Sequence, residues 1–298
     1  MTALLELEGA RIDRDGVPLC EGLSFSLSGA RVCLVGELGG LFALLSGRAE
    51  LVAGRVTLDG HDAAGALAAG LVGVAARDSL FPEAWELDRY LVEGARLGGL
   101  GKREARDAVR SVLGALELAH LTGRRISTLT EAEKRCAALA LALLDAPPLL
   151  AVEDPVSDLD ERSTELVCQA LERAAAGRRL LLSTRVLPRF GPEHALFASA
   201  DDVVVLEAGA LVAQGPLAAL TQPGARYLVS VTRHGAELSE RLVAQGLAVT
   251  AATSETSAGA RLVVSLPETG GTDPIVAAAL EAEAPIVELF PLSTPRAG

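Results

Sequence analysis

The sequence predicts an α/β fold with a mostly parallel sheet, followed by a small α+β module. Two observations lead to this prediction. Apolar runs without alternation, at residues 31–35 and 149–152, are typical of parallel strands buried on both faces, and helical periodicity separates them. From about residue 226 the chain changes to short strands interleaved with two helices. The first pattern favours a layered α/β domain, and the second favours a separate unit.

Each element of the first domain, residues 1–222, follows from a local pattern. Alternating or apolar runs predict strands, three- and four-residue apolar spacing predicts helices, and glycine or Asp-Gly pairs predict turns. Residues 83–146 form a predicted helical subdomain. In chain order the predicted elements are strands 5–8, 23–27 and 31–35, a tight loop at Gly39 and Gly40, helix 41–45, strand 54–60 closed by an Asp-Gly turn, the helical subdomain, strand 149–152, helix 164–176, strand 180–184, and the hairpin 203–206 with 211–213.

A second domain is predicted over residues 226–292, after a linker at Gln222, Pro223 and Gly224. Strand and helix patterns follow one another there as β-α-β-β-α-β, which is the ferredoxin-like order. The predicted strands are 227–232, 247–252, 261–266 and 286–290, and the predicted helices are 236–245 and 274–283. No cluster of reactive side chains accompanies this pattern, so the module is expected to serve contacts rather than chemistry.

Composition argues against several function classes. The net charge of −12 disfavours a general nucleic-acid-binding protein, because such proteins neutralise phosphates with Lys and Arg. Cysteines and histidines are scattered, so no metal site is expected. The longest apolar run, residues 136–144, falls short of the ~18–20 residues that a transmembrane helix needs, and no signal peptide is expected. The lysines are Lys102 and Lys134, so neither lies near the glycines at residues 36–40 that follow a buried strand.

Six short motifs follow one another between residues 35 and 185. They are VGELGGLFA at 35–43, VGVAARDSLFP at 72–82, LTEAEKR at 129–135, LLAVED at 149–154, SDLD at 157–160 and LLSTR at 181–185. In order and spacing they resemble the ATP-binding subunits of ABC transporters, specifically of drug-, polysaccharide- and gliding-type export systems. The resemblance covers residues 3 to about 220. It implies a P-loop NTPase-like ABC nucleotide-binding domain with a helical subdomain, and the ferredoxin-like module is similar to the C-terminal extension of many such subunits.

The first motif corresponds to the family's phosphate loop, GxxxxGK[ST], whose backbone N–H groups, lysine and hydroxyl hold Mg-ATP. Gly36, Gly39 and Gly40 are retained, but Phe42 and Ala43 stand where the lysine and the hydroxyl belong. Glu37 adds a negative charge, and the following helix is about one turn shorter than in the family. Each lost charged hydrogen bond removes ~1.5–3 kcal/mol, so affinity is expected to fall ~10^2–10^4-fold. The alternative is a strand–turn–helix without any ligand.

The second and third motifs are altered at the positions that contact nucleotide in the family. Arg77 stands where the Q-loop glutamine ligates Mg2+, and an arginine cannot ligate a metal. It either holds a partner carboxylate or is solvated. In the signature motif Thr130 is a good helix N-cap, with Glu133 completing a capping box. Glu131 and Ala132 replace the two glycines that allow close approach to phosphate, so a structural cap is favoured over an anion site.

The remaining motifs carry the residues that would perform hydrolysis. The Walker B carboxylates are present in reversed order, Glu153 before Asp154, so each is displaced by about a methylene; the alternative is that they cap neighbouring loops. The D-loop, ending at Asp160, is nearly intact, and in the family it lies across a dimer seam. Arg185 replaces the switch histidine and cannot change its charge. The aromatic residue that stacks on adenine is absent, and Arg14 aligns there.

The resemblance with these departures implies an inactive relative, a pseudo-ATPase with a structural or regulatory role in a membrane export complex. Its expected partners are a transmembrane permease, contacted through the region 77–129, and a second ABC ATP-binding subunit in a homo- or heterodimer. It is expected on the cytoplasmic face of the membrane, with no cofactor and no nucleic acid. Two alternatives stay open. One is a weak ATPase that uses Glu153, Asp154 and Mg-ATP, and the other is a soluble scaffold or sensor that works through its C-terminal module.

Overall fold

The computed structural model describes residues 3–36, 39–185, 191–207, 210–217, 226–256, 259–266 and 271–291. The chain divides into two units, Met1–Val204 and Val205–Gly298. The predicted linker at residues 222–224 lies outside the described residues, and so do Glu37 and Leu38 of the phosphate-loop motif. No helix within the described ranges combines the length and the apolarity that crossing a membrane requires.

An antiparallel sheet contains the opening strands of the chain. Its strands are β1 (Leu5–Arg14), β2 (Val17–Leu27), β4 (Glu50–Leu58) and β5 (His61–Asp62), in the order β2-β1-β4-β5. The predicted turn at Asp59 and Gly60 is confirmed, because both residues have positive φ, 51° and 79°, as a two-residue hairpin turn requires. The strands are longer than predicted because alternation fades near Gly9, where the register between β1 and its neighbours shifts.

The central sheet places the loops that carry the sequence motifs at one edge. Its strands are β3 (Arg31–Val35), β6 (Val72–Ala75), β7 (Leu149–Glu153), β8 (Arg179–Thr184), β9 (Asp202–Glu207) and β10 (Ala210–Gly215), in the order β10-β9-β3-β8-β7-β6. The strands β3, β8, β7 and β6 are parallel and largely buried, as the sequence predicts for β3, β7 and β8, whereas β6 was not predicted. Their carboxyl ends therefore lie side by side, which is where α/β sheets bind ligands.

Seven α-helices accompany the two sheets of this unit within the described residues, and the third, fourth and fifth of them lie in the predicted helical region, residues 83–146. The seven helices are α1 (Gly39–Leu45), α2 (Ala63–Ala68), α3 (Leu87–Leu97), α4 (Lys102–Ala115), α5 (Glu131–Ala142), α6 (Glu161–Ala175) and α7 (Pro192–Ala198). The prediction of a tight loop at Gly39 and Gly40 was wrong, since both belong to the first turn of α1. A Cβ at Gly40 would lie 3.0 Å from Leu19 Cβ, so a larger residue would require β2 or α1 to shift by a few tenths of an ångström. The glycine therefore serves close packing against β2 rather than a turn.

The second unit contains the predicted β-α-β-β-α-β series. The elements are β11 (Arg226–Val231), α8 (Gly235–Ala244), β12 (Ala248–Thr256), β13 (Gly259–Ser265), α9 (Asp273–Glu281) and β14 (Ile286–Pro291). The sheet order is β12-β13-β11-β14 and every pairing is antiparallel. Side chains such as Val229, Leu238, Val264 and Ile275 form a buried core between the sheet and the two helices. This is the strand order of the split β-α-β arrangement.

Candidate functional site

The carboxyl ends of β7 and β8 bring together the carboxylates of one motif and the arginine of another. Asp154 directly follows β7, with its side chain only 7% exposed and a left-handed φ of 42°. Its backbone N–H donates to the carbonyl oxygen of Ser183 in β8 (3.1 Å). This bond holds Asp154 against β8 at Ser183, which is two residues before Arg185. The local backbone therefore points a largely buried carboxylate at the place where the strand ends meet.

Two arginines converge on that carboxylate. Arg77, after β6, donates to Asp154 Oδ2 over 2.8 Å, and Arg185, after β8, donates to the same oxygen over 3.1 Å. Both also donate to Oδ2 of Asp158, with Arg185 at 3.0 Å. We call Arg77, Arg185, Asp154 and Asp158 the arginine clamp. The hydroxyl of Ser157 donates to the other oxygen of Asp154. The structure thus selects the partner-carboxylate alternative for Arg77 and rejects the solvated one.

The clamp is neutral as a set, because two guanidinium groups face two carboxylates. Asp154 is the inner carboxylate, whereas the side chain of Asp158 is 66% exposed. The nearby carboxylate of Asp154, followed by the hydrogen bond to Asp158, raises the pKa of the Arg185 guanidinium above its ordinary value. Arginine is in any case charged throughout the physiological range. The clamp therefore needs no bound ion to balance the charge of its carboxylates.

Glu153 lies beside the clamp and is held separately. Its Oε2 accepts the backbone N–H of Arg77 (3.1 Å) and lies 3.8 Å from a guanidinium nitrogen of Arg48. Burial raises the pKa of the Glu153 carboxyl above its ordinary value, with smaller contributions from the charges of Asp78 and Asp154. The bond from Arg77 and the charge of Arg48 act in the opposite direction without cancelling the effect of burial. Ionised Glu153 is therefore less favourable in the folded chain than in water.

This raised pKa predicts a pH-dependent effect of Glu153→Gln. An acid whose pKa is raised by folding stabilises the native state below its ordinary pKa, and this contribution is lost as pH rises through the native pKa. Glutamine cannot ionise, so the variant does not lose this stability as pH rises. Its Tm should match that of the unmodified chain at about pH 4 and exceed it at about pH 7. Thermal unfolding across this range is the measurement. Glu172→Gln, at an exposed position on α6, is the control and should show a constant difference. If the Tm difference between Glu153→Gln and the unmodified chain also stayed constant with pH, the pKa of Glu153 would not be raised by folding.

The phosphate-loop motif presents neither a cation nor a hydroxyl from residues 41–43. Phe42 and Ala43 are fully buried in the core beneath α1. Gly36 has a φ of 115°, and its N–H donates to the carbonyl oxygen of Thr184 over 2.9 Å. The hydroxyl of Ser46, at the end of α1, donates to the carbonyl oxygen of Phe42 within its own helix (2.6 Å). The strand–turn–helix framework is present, but these side chains serve packing.

The signature motif forms the predicted helix cap. The Thr130 hydroxyl accepts the N–H of Glu133 over 3.2 Å, and the Glu133 carboxylate accepts the N–H of Thr130 over 2.7 Å. The capping box is therefore confirmed. Glu131 accepts from Arg135 Nε (3.0 Å), and the same arginine donates to the backbone carbonyl of Asp154 over 2.8 Å. Helix α5 is thereby tied to the loop after β7, while Ala132 is buried.

Removing the cap should have a modest, local cost. We expect Thr130→Ala to lower the free energy of unfolding by about 1 kcal/mol, because the N–H of Glu133 loses its acceptor. Urea denaturation measures this difference. Thr130→Ser keeps the hydroxyl and is the matched control, expected to remain close to the unmodified chain. Equal losses in both variants would indicate that the methyl group, rather than the cap, carries the effect.

Two other predicted site residues lie apart from the clamp. Asp160 caps α6, because its Oδ1 accepts the N–H of Ser163 over 2.8 Å, and this bond lowers the pKa of its carboxyl. Arg14, aligned with the adenine-stacking position, is exposed at the end of β1. The structure thus gathers Arg77, Glu153, Asp154 and Arg185 at one place, and it gives Asp160 a capping role.

Two arginines that complete this region, Arg135 and Arg48, were not among the predicted site residues. Arg135 has a local signal, since it lies four residues after Glu131 on the same helix face. Arg48 has no such signal: it follows α1 and approaches Glu153 only through the fold of the chain. Its Nε also donates to the hydroxyl of Ser46 over 2.8 Å, which directs the guanidinium toward β7.

Comparisons with known proteins identify the family. No protein-family model matches the chain. A solved structure of cbiO1 from Clostridium perfringens, described as part of the ABC transporter complex cbiONQ, has a TM-score of 0.58 at 20% identity, covering 74% of this chain and 90% of that one. The nickel import ATP-binding protein NikO of Rhodobacter capsulatus is 31% identical over 240 residues, which cover 73% of this chain and 91% of NikO. The chain belongs to the ABC transporter ATP-binding protein family.

A further ABC relative is the Fe(3+) ions import ATP-binding protein FbpC of Streptomyces coelicolor, which is 31% identical over 234 residues. That match covers 76% of this chain and 66% of FbpC. The ABC nucleotide-binding fold predicted from the motifs is confirmed by the solved structures. In this ABC chain, residues at the positions that the resemblance assigns to the Q-loop, Walker B, D-loop and switch meet in the arginine clamp.

Proposed function

We propose that this ABC-family chain is a non-hydrolysing pseudo-ATPase with a structural or regulatory role in a membrane export complex. The observation that carries the proposal is the arginine clamp. Asp154, the carboxylate at the Walker B motif, is bonded by Arg77 and Arg185 and by the Ser157 hydroxyl. Its oxygens are therefore engaged by the chain's own donors, and the two positions that the resemblance assigns to Mg2+ and to the switch are both cationic.

The donor set does not fit Mg2+. This ion demands oxygen ligands in near-octahedral geometry, and a guanidinium offers only donors. To bind at Asp154, the ion would have to displace charge-assisted hydrogen bonds from two arginines and would then lie beside their positive charges. Glu153 offers no substitute, because its Oε2 already accepts the backbone N–H of Arg77 and lies 3.8 Å from the guanidinium of Arg48. The site therefore supports no reaction step through Mg-ATP.

The donor set does not fit a triphosphate either. Phe42 and Ala43 are fully buried, so the helix after the phosphate loop presents neither a lysine nor a hydroxyl. Losing two charge-assisted contacts weakens binding by ~10^2–10^4-fold. At the signature motif the carboxylate of Glu131 occupies the first turn of α5 and pairs with Arg135. The negative charge of Glu131 also disfavours a phosphate bound to a partner subunit. In a dimer, nucleotide binding would therefore be weakened at the phosphate loop of this chain and at that of its partner.

A hydrolysis assay with a matched variant tests the proposal against a weak ATPase. Phosphate release by the purified chain is compared with release by the double variant Glu153→Gln/Asp154→Asn. Both should give the same background rate, because neither carboxylate is available for catalysis. A rate in the unmodified chain at least ~10^2-fold above the variant would favour the weak ATPase, since losing a general base typically costs that much. That result would overturn the proposal.

We propose a transmembrane permease as the partner, docked on the face formed by the loop after β6 and by α3 and α5. A cleft of about 320 Å3 lies there between this loop and α5. Leu80 at its rim is 86% exposed, and Phe81 packs edge-on against Tyr90 with ring centroids 5.5 Å apart. Arg89 covers the ring of Trp85 at 4.4 Å. Aromatic and arginine side chains of this kind are enriched at interface hot spots.

Membrane attachment through this partner would place the chain at the cytoplasmic face, with a second ABC ATP-binding subunit beside it in a homo- or heterodimer. Export as the direction rests on the resemblance of the ordered motifs, and of the C-terminal β-α-β-β-α-β unit, to subunits of export systems, whereas NikO and FbpC are named as import proteins. Capture of a permease from membranes by the purified chain, compared with a Leu80→Glu/Phe81→Glu variant, tests the docking face. Equal capture by both would argue against it, and no capture by either would favour the soluble scaffold.

A further inference from the structure

We infer that the arginine clamp acts as an internal tie that holds the proposed docking face in one state without any nucleotide. The inference rests on the proposed function and adds the regulation of its docking face. The face is carried mainly by residues 77–86, which we call the docking loop. This loop connects β6 to α3, and Arg77 is its first residue. The clamp and the exposed side chains of the face are therefore parts of one segment.

The docking loop is fixed independently at its two ends. At the α3 end, Ser127 donates its N–H to the carbonyl oxygen of Glu83 (3.0 Å) and Ile126 to that of Trp85 (2.9 Å). At the β6 end, the side chain of Arg77 reaches Asp154 and Asp158, and its backbone N–H reaches Glu153. Between these ends the side chain of Leu80 is exposed, while its carbonyl oxygen accepts from the Tyr90 hydroxyl over 3.4 Å and Phe81 packs against the Tyr90 ring. Releasing the β6 end would therefore loosen residues 77–80 and leave Leu80 and Phe81 held by Tyr90.

The clamp joins segments that are far apart in sequence. Arg77 follows β6, Asp154 and Asp158 follow β7, and Arg185 follows β8, so the side chains of the clamp add a link between three neighbouring strand ends. Because both cations are arginines, the tie does not depend on a proton or on a bound ion. Its outer half is exposed, with 66% of the Asp158 side chain and 50% of the Arg185 side chain accessible. Salt should therefore weaken that half first.

A partner that recognises Leu80 and Phe81 consequently meets a loop that is already ordered. Binding to a pre-organised surface avoids the entropic cost of ordering it. The clamp thus makes docking of the permease independent of the nucleotide state of this chain. Loss of the clamp, rather than addition of ATP, is the change that should loosen the docking loop.

Hydrogen–deuterium exchange on the full chain tests this inference. The variant Arg77→Gln/Arg185→His removes both guanidinium groups, and Arg110→Gln removes an exposed ion pair with Asp107 on α4 as the matched control. We expect amides of residues 77–80 to exchange about tenfold faster or more in the double variant, while amides of α4 stay unchanged. The control should change neither. Mg-ATP should leave exchange in the unmodified chain unaltered.

A single variant keeps the test decisive should the double variant unfold. Asp158→Asn removes only the exposed carboxylate and should produce a smaller increase in exchange, confined to the docking loop and the loop after β7. Unchanged exchange at 77–80 in both clamp variants, or protection of 77–80 by Mg-ATP in the unmodified chain, would overturn the inference. The hydrolysis assay reports separately on the proposed function: turnover together with clamp-dependent exchange would reject the pseudo-ATPase and keep the tie.

Discussion

Replacing Asp154 with alanine is expected to lower the free energy of unfolding by about 3 kcal/mol, because it leaves the partly buried guanidinium of Arg77 without its inner carboxylate. The Ser157 hydroxyl loses its acceptor at the same time. Alanine also tolerates the φ of 42° poorly, since the left-handed region is unfavourable for residues with a Cβ. Urea denaturation at neutral pH measures the loss. It is the largest effect expected from any single side chain of the clamp.

Two control variants separate the causes of that loss. Asp154→Asn keeps the size of the side chain and its tolerance of positive φ but removes the charge, so it should lie between Asp154→Ala and the unmodified chain. Asp107→Ala breaks an exposed pair with Arg110 and should cost at most about 1 kcal/mol. If Asp154→Ala cost no more than Asp107→Ala, the clamp would not be a structural unit.

Phe42→Lys is expected to destabilise the fold strongly without creating nucleotide binding. Phe42 is fully buried, and removing a buried phenylalanine costs about 3–5 kcal/mol before the charge of the new ammonium is considered. The lysine would enter the core beneath α1 rather than the site. Thermal unfolding should therefore report a large decrease in Tm, and calorimetric titration with Mg-ATP should give no saturable binding.

Phe42→Leu is the matched control for that substitution. It keeps an apolar side chain and should cost about 1.5 kcal/mol or less if the neighbours repack. A Phe42→Lys chain with the Tm of the Phe42→Leu chain and micromolar affinity for Mg-ATP would mean that the side chain at this position reaches the site. In that case the phosphate loop would be intact in geometry, and one substitution would account for its inactivity.

Helices and strands that have a local sequence pattern could be predicted. The apolar runs at 31–35 and 149–152 became β3 and β7, and the whole β-α-β-β-α-β series was readable because each element has its own periodicity. Helix α2 was missed, since its sequence AAGALA has no polar face and its start depends on the side chain of Asp62. Gly39 and Gly40 were assigned to a loop because glycine disfavours helices, but packing of β2 against α1 overrides that preference.

The sequence predicted which residues form the site, but it did not predict the hydrogen bonds and ion pairs between them. Asp154 and Arg185 each follow a predicted strand, so their proximity follows from a parallel sheet, whereas the strand before Arg77, β6, was not predicted. The role of Asp158 was hidden because it depends on a backbone φ of 63° that turns its carboxylate back toward both arginines. The contact between Arg48 and Glu153 depends on how α1 packs, and no local sequence pattern predicts that contact. The motifs therefore indicate which side chains lie near one another, whereas the loop conformations determine which of them form hydrogen bonds.

Calorimetric titration of Mg-ATP into the purified, unmodified chain measures whether Asp154 and its neighbours are available to a ligand at all. We expect no saturable heat below millimolar nucleotide, with or without Mg2+. Saturable binding in the micromolar range that disappears when Mg2+ is removed would contradict this expectation.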